Sequence, residues 1–305
     1  KGARRELTAQ DYVYSLKRHY DPRWKSGNLY LLEADKILGL SELRRRVIAG
    51  KTPFPYDVEV DGLRALDRDR AYPTEFVRAL TEAGWLSVLI PEAYGGAGLP
   101  LGAACAVLEE IHRSGGNGAA CHAQMYTMGT LLRHGSDAQK EEWLPRITSG
   151  DIRLQAFGVT EPDSGTDTTR IATTARREGD RYIVNGQKIW ISRAEHSDLM
   201  ILLCRTAPRD AGHKPSDGIS VLLVDMREAR GKGLTVRPVR TMLNHATTEL
   251  FFDNLEVPVA NLIGEEGRGF RYILDGMNAE RILIAAECIG DGRFFIDRAS
   301  AYAKE

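Results

Sequence analysis

The sequence has few of the residues that build disulfide frameworks and metal sites. Four of its 305 residues are cysteines, and no two of them form a C-x-x-C pair. This spacing argues against a disulfide scaffold or a cysteine zinc site, so we predict reduced thiols. The seven histidines are not clustered at the spacing of metal ligands either. The sequence therefore predicts no metal site.

An excess of one charge and long apolar runs are also lacking. The formal net charge is -1 at pH 7, which favours neither nucleic acid nor an acidic membrane surface as a partner. No apolar run approaches the roughly 20 residues needed to cross a bilayer. The first ten residues, KGARRELTAQ, are charged and polar, unlike a signal peptide. We predict a globular cytoplasmic protein that does not bind nucleic acid and has no membrane span.

Apolar residues in 73–150 recur at the three-to-four spacing of amphipathic helices. In the last of these patterns Ser136 is a predicted N-cap and Gly150 a predicted C-cap. Glycines together with Pro100 predict a loop in 90–102, after the first helix. The four predicted helices have the sequences PTEFVRALTEAG, LGAACAVLEEIHR, CHAQMYTMGTLLRHG and SDAQKEEWLPRITSG.

From about residue 154 the helical spacing gives way to short runs of Val, Ile and Leu. Gly, Pro, Asp and Asn separate these runs, which is typical of an all-β unit. The dipeptide Asn185-Gly186 is the strongest two-residue turn signal, so we predict a hairpin between YIV and QKIWIS. The predicted strands lie in RYIVNGQKIWIS, DLMILLCRT, GISVLLVDM, LTVRPVR and TELFFDNLEVP.

The remaining segments complete a multidomain α+β protein. Residues 264–305 return to a helical pattern that is still running at Glu305, and residues 1–68 are dense in charge and in Tyr and Trp. We predict an all-α N-terminal domain, a β-barrel-like middle domain and the start of a C-terminal helical bundle. The predicted boundaries are 1–68 for the front segment, 69–153 and 154–263 for the first two domains, and 264–305 for the third.

Four motifs, in order, resemble those of the acyl-CoA dehydrogenase family. The segment GVTEPDSGTDTT at 158–169 is similar to the first signature of the family, with Arg170 where a small residue is usual. The other motifs are IPEAYGGAGL, YIVNGQKIWIS and FFDNLEVPVANLIGEEGRGF. The resemblance covers about 71–305. It implies an FAD-dependent enzyme that removes an α-proton and a β-hydride from an acyl-CoA to give the trans-2-enoyl-CoA.

The resemblance also implies partners and further sequence. Electron-transfer flavoprotein is the expected electron acceptor, and the full-length protein is expected to form a homo-oligomer. Members of the family continue with helices beyond the position of Glu305. We therefore expect a truncated chain that exposes an apolar face, binds FAD poorly and has little activity.

The front segment, 1–68, resembles something else. Its stretch LTAQDYVYSLKRHYDPRW is similar to an internal piece of the solute-binding proteins of peptide ABC transporters. Those proteins act outside the cytoplasm, whereas the dehydrogenases act inside the cell or organelle. We therefore expect an artefact of joining in this segment rather than a natural fusion, and no contribution to function.

The flavin site implied by the resemblance is built from two β segments. Trp190 is expected to pack on the isoalloxazine ring, and Ser192 to donate a hydrogen bond to its hydride-accepting nitrogen. Gly165 and Thr166 are expected to let backbone amides approach the pyrophosphate. The predicted cofactor-binding residues are Phe157, Val159, Thr160, Gly165, Thr166, Trp190 and Ser192.

Glu280 is the predicted catalytic base. The family usually carries this carboxylate later in the chain, but isovaleryl- and long-chain-type enzymes place it on an earlier helix, where NAERILIAAE puts Glu280. An apolar, substrate-filled pocket would raise its pKa, so that it can take a carbon-bound proton. Alternatively, Glu280 lies early in its helix because a negative charge there interacts favourably with the helix dipole, and its carboxylate pairs with Arg281. Contacts to CoA are expected at Ser164, Thr166 and Arg281.

Three other functions remain open from the sequence. A flavin oxidase or monooxygenase on the same fold would react rapidly with oxygen when reduced and need not use Glu280. A solute-binding module on residues 1–68 would need a secretory signal and two lobes. An inactive fragment is the third alternative.

Overall fold

The computed structural model describes residues 72–116, 118–120, 122–209, 214–241 and 246–304. The front segment 1–68 lies outside the described residues. The described chain forms two compact units, and the first of them comprises 72–89, 99–120 and 282–304. The second unit comprises 90–98 and the described residues from 122 to 281.

The four helices predicted in 73–150 are confirmed, and two of them lie in the first unit. Helix α1, Thr74–Glu82, buries Phe76, Val77 and Leu80 on one face. Helix α2, Leu101–Arg113, buries a stripe of Ala104, Leu108, Ile111 and His112. These residues have the three-to-four spacing that the sequence displays, so burial of one apolar face accounts for both helices.

The second unit begins with helices α3, Ala123–His134, and α4, Asp137–Ser149. The predicted caps of α4 are confirmed. Ser136 accepts a hydrogen bond from the amide of Gln139, whose side chain in turn accepts from the Ser136 amide. Gly150 ends the helix at φ 83°, a conformation that glycine adopts without steric cost.

The predicted β domain is confirmed as one eight-stranded sheet. The strands are β1 Leu154–Gly158, β2 Thr174–Glu178, β3 Arg181–Ser192, β4 Leu199–Arg205, β5 Ile219–Asp225, β6 Leu234–Pro238, β7 Thr247–Pro258 and β8 Leu262–Ile263. Their order in the sheet is β6-β7-β3-β2-β4-β5-β8, and β1 pairs in parallel with β4. All seven residues of β4 are buried, which explains its continuous apolar sequence. The four-residue helix α5, Met226–Ala229, follows β5.

The predicted hairpin at Asn185-Gly186 is wrong. Strand β3 runs straight through this dipeptide, and the register of β3 against β7 shifts there. A Cβ at Gly186 would lie 2.6 Å from the hydroxyl oxygen of Thr173. The glycine therefore allows two backbone segments of this chain to approach closely at a bulge. The turn that does enter β3 contains Gly179 at φ 60°.

The last helix, α6, spans Gly269–Tyr302 and confirms the predicted return to helix. Its residues up to 281 belong to the second unit, and those from 282 belong to the first. Several large apolar side chains beyond 281 are exposed, among them Ile289, Phe295 and Ile296. No helix in the described ranges is both long and apolar enough to cross a membrane.

The cysteines that the structure describes are free thiols. They are Cys105, Cys204 and Cys288, whereas Cys121 lies outside the described residues.

Gly269 tests the packing at the start of α6. A Cβ there would lie 2.5 to 2.6 Å from backbone atoms of Ser220 and Val221. Because backbone yields less readily than a side chain, we expect Gly269→Ala to lower the free energy of unfolding by about 1–3 kcal/mol. Urea denaturation measures this. The control is Gly129→Ala inside α3, where the new Cβ meets nothing within 4 Å and should stabilise by up to about 1 kcal/mol. Equal effects from the two changes would contradict the structure.

Candidate active site

Six residues predicted from the sequence line one cavity of about 190 Å³ in the second unit. These are Phe157, Val159, Thr160, Trp190, Ser192 and Glu280. The remaining lining residues are Tyr126, Gln155, Ile191 and Met277, which the sequence did not indicate. A larger open groove of about 670 Å³ on the same unit is lined by none of the predicted residues, so its size alone does not make it the site.

The cavity is lined by parts of α3, β1, β3, α6 and the loop that follows β1. That loop, 159–173, carries the signature sequence. The Ile189 amide in β3 donates to the carbonyl oxygen of Thr160 at 3.0 Å, which fixes the loop against the strand. Neither the amide nor the hydroxyl of Thr160 bonds to another residue in the described part of the chain. Both groups are therefore available to a ligand in the cavity.

A bulge in β3 directs Trp190 to the cavity. The register of β3 against β7 shifts between Lys188 and Ile191, and Trp190 takes φ 62°. Lys188 and Ile191 are both buried, although strict alternation would place them on opposite faces. The indole is consequently 57% exposed, an unusual state for so large an apolar side chain within a sheet. The hydroxyl of Thr248 donates to the Ile191 carbonyl at 2.8 Å and holds the bulge.

Lys188 and Glu161 form a buried ion pair beneath the loop. Their nitrogen and oxygen are 2.7 Å apart, and the Lys188 side chain is fully buried. Burial lowers the pKa of Lys188, against the opposing charge of Glu161. Burial would raise the pKa of Glu161, but the charge of Lys188 and the Ala172 amide outweigh it and hold that pKa below its ordinary value. The 2.7 Å contact between the ammonium and the carboxylate has the geometry of an ion pair.

Glu280 enters the cavity from α6. Burial raises the pKa of its carboxyl group, and the nearby charge of Arg281 opposes this only in part. The Arg281 guanidinium donates instead to the side-chain oxygen of Asn278 at 2.8 Å. Glu280 forms no ion pair or hydrogen bond with any other residue that the structure describes. The simple helical ion pair considered from the sequence is thus not formed.

The other predicted site residues lie outside the cavity lining. Gly165 and Thr166 are exposed at the tip of the signature loop, and Arg281 is exposed on α6. Ser164 is buried, and its hydroxyl donates to the carbonyl oxygen of Asp167 at 2.7 Å, which closes the loop tip. The structure therefore brings the residues predicted to face the flavin ring together with Glu280, and places the residues predicted to contact the pyrophosphate and CoA outside that lining.

Tyr126 is the most informative lining residue that sequence reasoning missed. Its ring contacts Phe157 edge to face, with the ring centroids 5.9 Å apart. The helical spacing of α3 indicates an apolar face but not which element that face meets. In the described ranges of the chain, no group of three or more His, Cys, Asp or Glu side chains could hold a metal ion.

Comparisons with known proteins point to one family. The model for "Acyl-CoA dehydrogenase, N-terminal domain" matches residues 57–151, and that for "Acyl-CoA dehydrogenase, middle domain" matches 156–255. Glutaryl-CoA dehydrogenase of Desulfococcus multivorans is 35% identical over 247 residues, which are 78% of this chain and 61% of that protein. The chain thus spans about three fifths of the length of the curated relatives it matches.

Solved structures agree with the family models. The structure of a glutaryl-coenzyme A dehydrogenase glutaryl-CoA complex matches this chain with a TM-score of 0.71 at 32% identity. The match covers 91% of this chain and 66% of that chain. The prolyl acyl carrier protein oxidase AnaB matches this chain with a TM-score of 0.67 at 26% identity. The match covers 77% of this chain and 62% of that chain.

The resemblance of residues 1–68 to a solute-binding protein is not borne out. The N-terminal domain model begins at residue 57, inside that segment. The last residues of the front segment, from 57 onward, are therefore matched by the same family model as the helices that follow them. The short stretch LTAQDYVYSLKRHYDPRW, on which the resemblance was based, was too unspecific a signal for the assignment.

The raised pKa of Glu280 predicts a pH dependence of stability. A carboxyl group whose pKa is higher in the folded chain takes up a proton on folding, so its contribution to stability falls as pH rises above the ordinary value of 4.5. We expect Glu280→Gln to be increasingly more stable than the wild type as pH rises from 4.5, until the folded-state pKa is passed. Urea unfolding of both proteins at a series of pH values measures this, and a constant difference would contradict it.

Proposed function

Because this chain belongs to the acyl-CoA dehydrogenase family, we propose that it takes part in the FAD-dependent oxidation of an acyl-CoA to the trans-2-enoyl-CoA. The observation that carries the proposal is the convergence of Glu280 with Trp190, Ser192 and the Val159–Thr160 peptide around one cavity. Desaturation needs a base for the α-proton and an acceptor for the β-hydride, and amino-acid side chains provide only the base.

The residues present fit a flavin ring. An exposed indole offers a flat surface for stacking, and the unpaired amide and hydroxyl of Thr160 offer a donor and an acceptor at the edge of the cavity. FAD, when bound there, supplies the hydride acceptor. We propose that Phe157, Val159, Thr160, Trp190 and Ser192 hold the ring, and that the exposed amides of Gly165 and Thr166 approach its pyrophosphate.

Glu280 is the proposed base. As the α-carbon loses its proton to this carboxylate, the electrons of the C–H bond form the new double bond, and the β-hydrogen leaves as hydride. Burial raises the pKa of Glu280, whose cavity is also lined by Tyr126, Phe157 and Met277, and a raised pKa suits removal of a weakly acidic carbon-bound proton. The absence of a bonded partner among the described residues leaves the carboxylate available to substrate.

Contacts to the CoA moiety are proposed at Thr166 and Arg281, which are exposed. Ser164 is proposed to assist by holding the loop tip, since its hydroxyl bonds to Asp167. Electron-transfer flavoprotein is the proposed electron acceptor, and a cytoplasmic homo-oligomer is the proposed state of the complete protein.

An oxidase is the second candidate. The structural neighbour AnaB is titled a prolyl acyl carrier protein oxidase, and it shares the fold at 26% identity. The two functions differ in the fate of the electrons, because an oxidase passes them to oxygen. Stopped-flow mixing of the reduced protein with oxygen separates them: rapid reoxidation favours the oxidase, and slow reoxidation favours the dehydrogenase.

Replacing Glu280 by Gln tests the proposed base. We expect exchange of the substrate α-proton into deuterated water, followed by mass spectrometry, to slow by about 10²- to 10⁴-fold while FAD binding is retained. Gln keeps the size of the side chain but cannot accept the proton. Asp297→Asn, an exposed carboxyl on the same helix, is the matched control and should change the rate less than twofold. Exchange at the wild-type rate in Glu280→Gln would show that another group is the base.

A further inference from the structure

Lys188 makes two contacts below the wall of the active-site cavity. Its ammonium donates to Glu161 Oε1 at 2.7 Å and to the backbone carbonyl of Val159 at 3.0 Å. The second contact is made to a peptide unit that lines the cavity, since Val159 and Thr160 both belong to the lining. The lysine is therefore one peptide group away from the proposed flavin position.

Glu161 ties the same lysine to the far end of the signature loop. Its two carboxylate oxygens accept hydrogen bonds from the Ala172 amide at 2.6 Å and the Thr173 amide at 3.0 Å. The loop is thus fixed at 159, 161 and 172–173 around one buried cation. Charge-assisted hydrogen bonds of this kind are stronger than neutral ones.

A contribution to stability alone is a weak reason for this arrangement. Burying two charges costs several kcal/mol of desolvation per ion in general, and well-packed apolar side chains often replace such pairs without loss of stability. Apolar side chains at both 161 and 188 would fill the same space without leaving a charge unpaired. They would not place a positive charge on the Val159 carbonyl, which is the feature specific to lysine here.

The carbonyl of Val159 and the amide of Thr160 belong to one conjugated peptide unit. A cation on the oxygen draws electron density from the nitrogen, and hydrogen-bonded groups polarise one another in this way more strongly in a dry interior. The Thr160 amide has no partner among the described residues. It is therefore a strengthened donor at the wall of the cavity.

We propose that Lys188 is a positioning residue, an inference that rests on the proposed function. It acts through the Val159–Thr160 peptide and strengthens the hydrogen bond from the Thr160 amide to the bound flavin. This bond favours the reduced, more negatively charged flavin over the oxidised form. Lys188 thereby raises both the affinity for FAD and its reduction potential. Glu161 keeps the lysine charged and in place.

The test compares Lys188→Met and Lys188→Gln with the wild type. Met keeps the length of the side chain without charge or donor, and Gln keeps a donor without charge. We expect FAD to bind at least tenfold more weakly to Lys188→Met, measured by flavin fluorescence. We also expect a tenfold loss of preference for reduced flavin, equal to a shift of about 30 mV to lower midpoint potential for a two-electron couple. For Lys188→Gln, we expect both the affinity for FAD and the midpoint potential to lie between those of the wild type and Lys188→Met.

Tyr182→Phe is the matched structural control. Tyr182 is buried in the same strand, and its hydroxyl donates to Glu266 at 2.7 Å outside the cavity lining. This change should lower the midpoint of urea unfolding and leave the flavin potential unchanged. If folded Lys188→Met or Lys188→Gln keeps the wild-type potential and affinity for FAD, the positioning role is wrong. If the wild type itself binds no FAD, the proposed function fails and this role with it.

Discussion

The arrangement of the cavity depends on neutralising one buried cation. Lys188 has no access to water, so its ammonium must find acceptors within the protein, and it finds them in Glu161 and the Val159 carbonyl. These contacts draw the signature loop onto β3. Together with the bulge that turns Trp190 outward, they form one wall from a loop and a strand that are far apart in sequence.

Local signals in the sequence predicted the elements well where short-range chemistry decides them. Ser136 and Gly150 bound their helix as predicted, because capping depends on residues within one turn. The prediction of a hairpin at Asn185-Gly186 failed because the backbone there is set by a close approach to Thr173, thirteen residues before Gly186. The outward turn of Trp190 depends likewise on pairing with β7 and on the burial of Lys188, which no local pattern reveals.

In the candidate site, too, some residues could be predicted from local sequence and others depend on tertiary contacts. The signature and the strand that follows it indicated the residues proposed to face the flavin ring, and these residues line one cavity together with Glu280. Tyr126 and Met277 were missed because helical periodicity identifies an apolar face without identifying its partner. The raised pKa of Glu280 is also a property of the assembled cavity, since burial is its main cause.

The most direct measurement of the central claim is anaerobic titration of the FAD-loaded protein with a panel of acyl-CoA thioesters, followed by visible absorption and by analysis of the products. The account predicts loss of the oxidised-flavin absorption with one or more acyl groups, together with an equal amount of enoyl-CoA. Protein that retains FAD, yet is neither bleached nor yields enoyl-CoA with any of these thioesters, would contradict it.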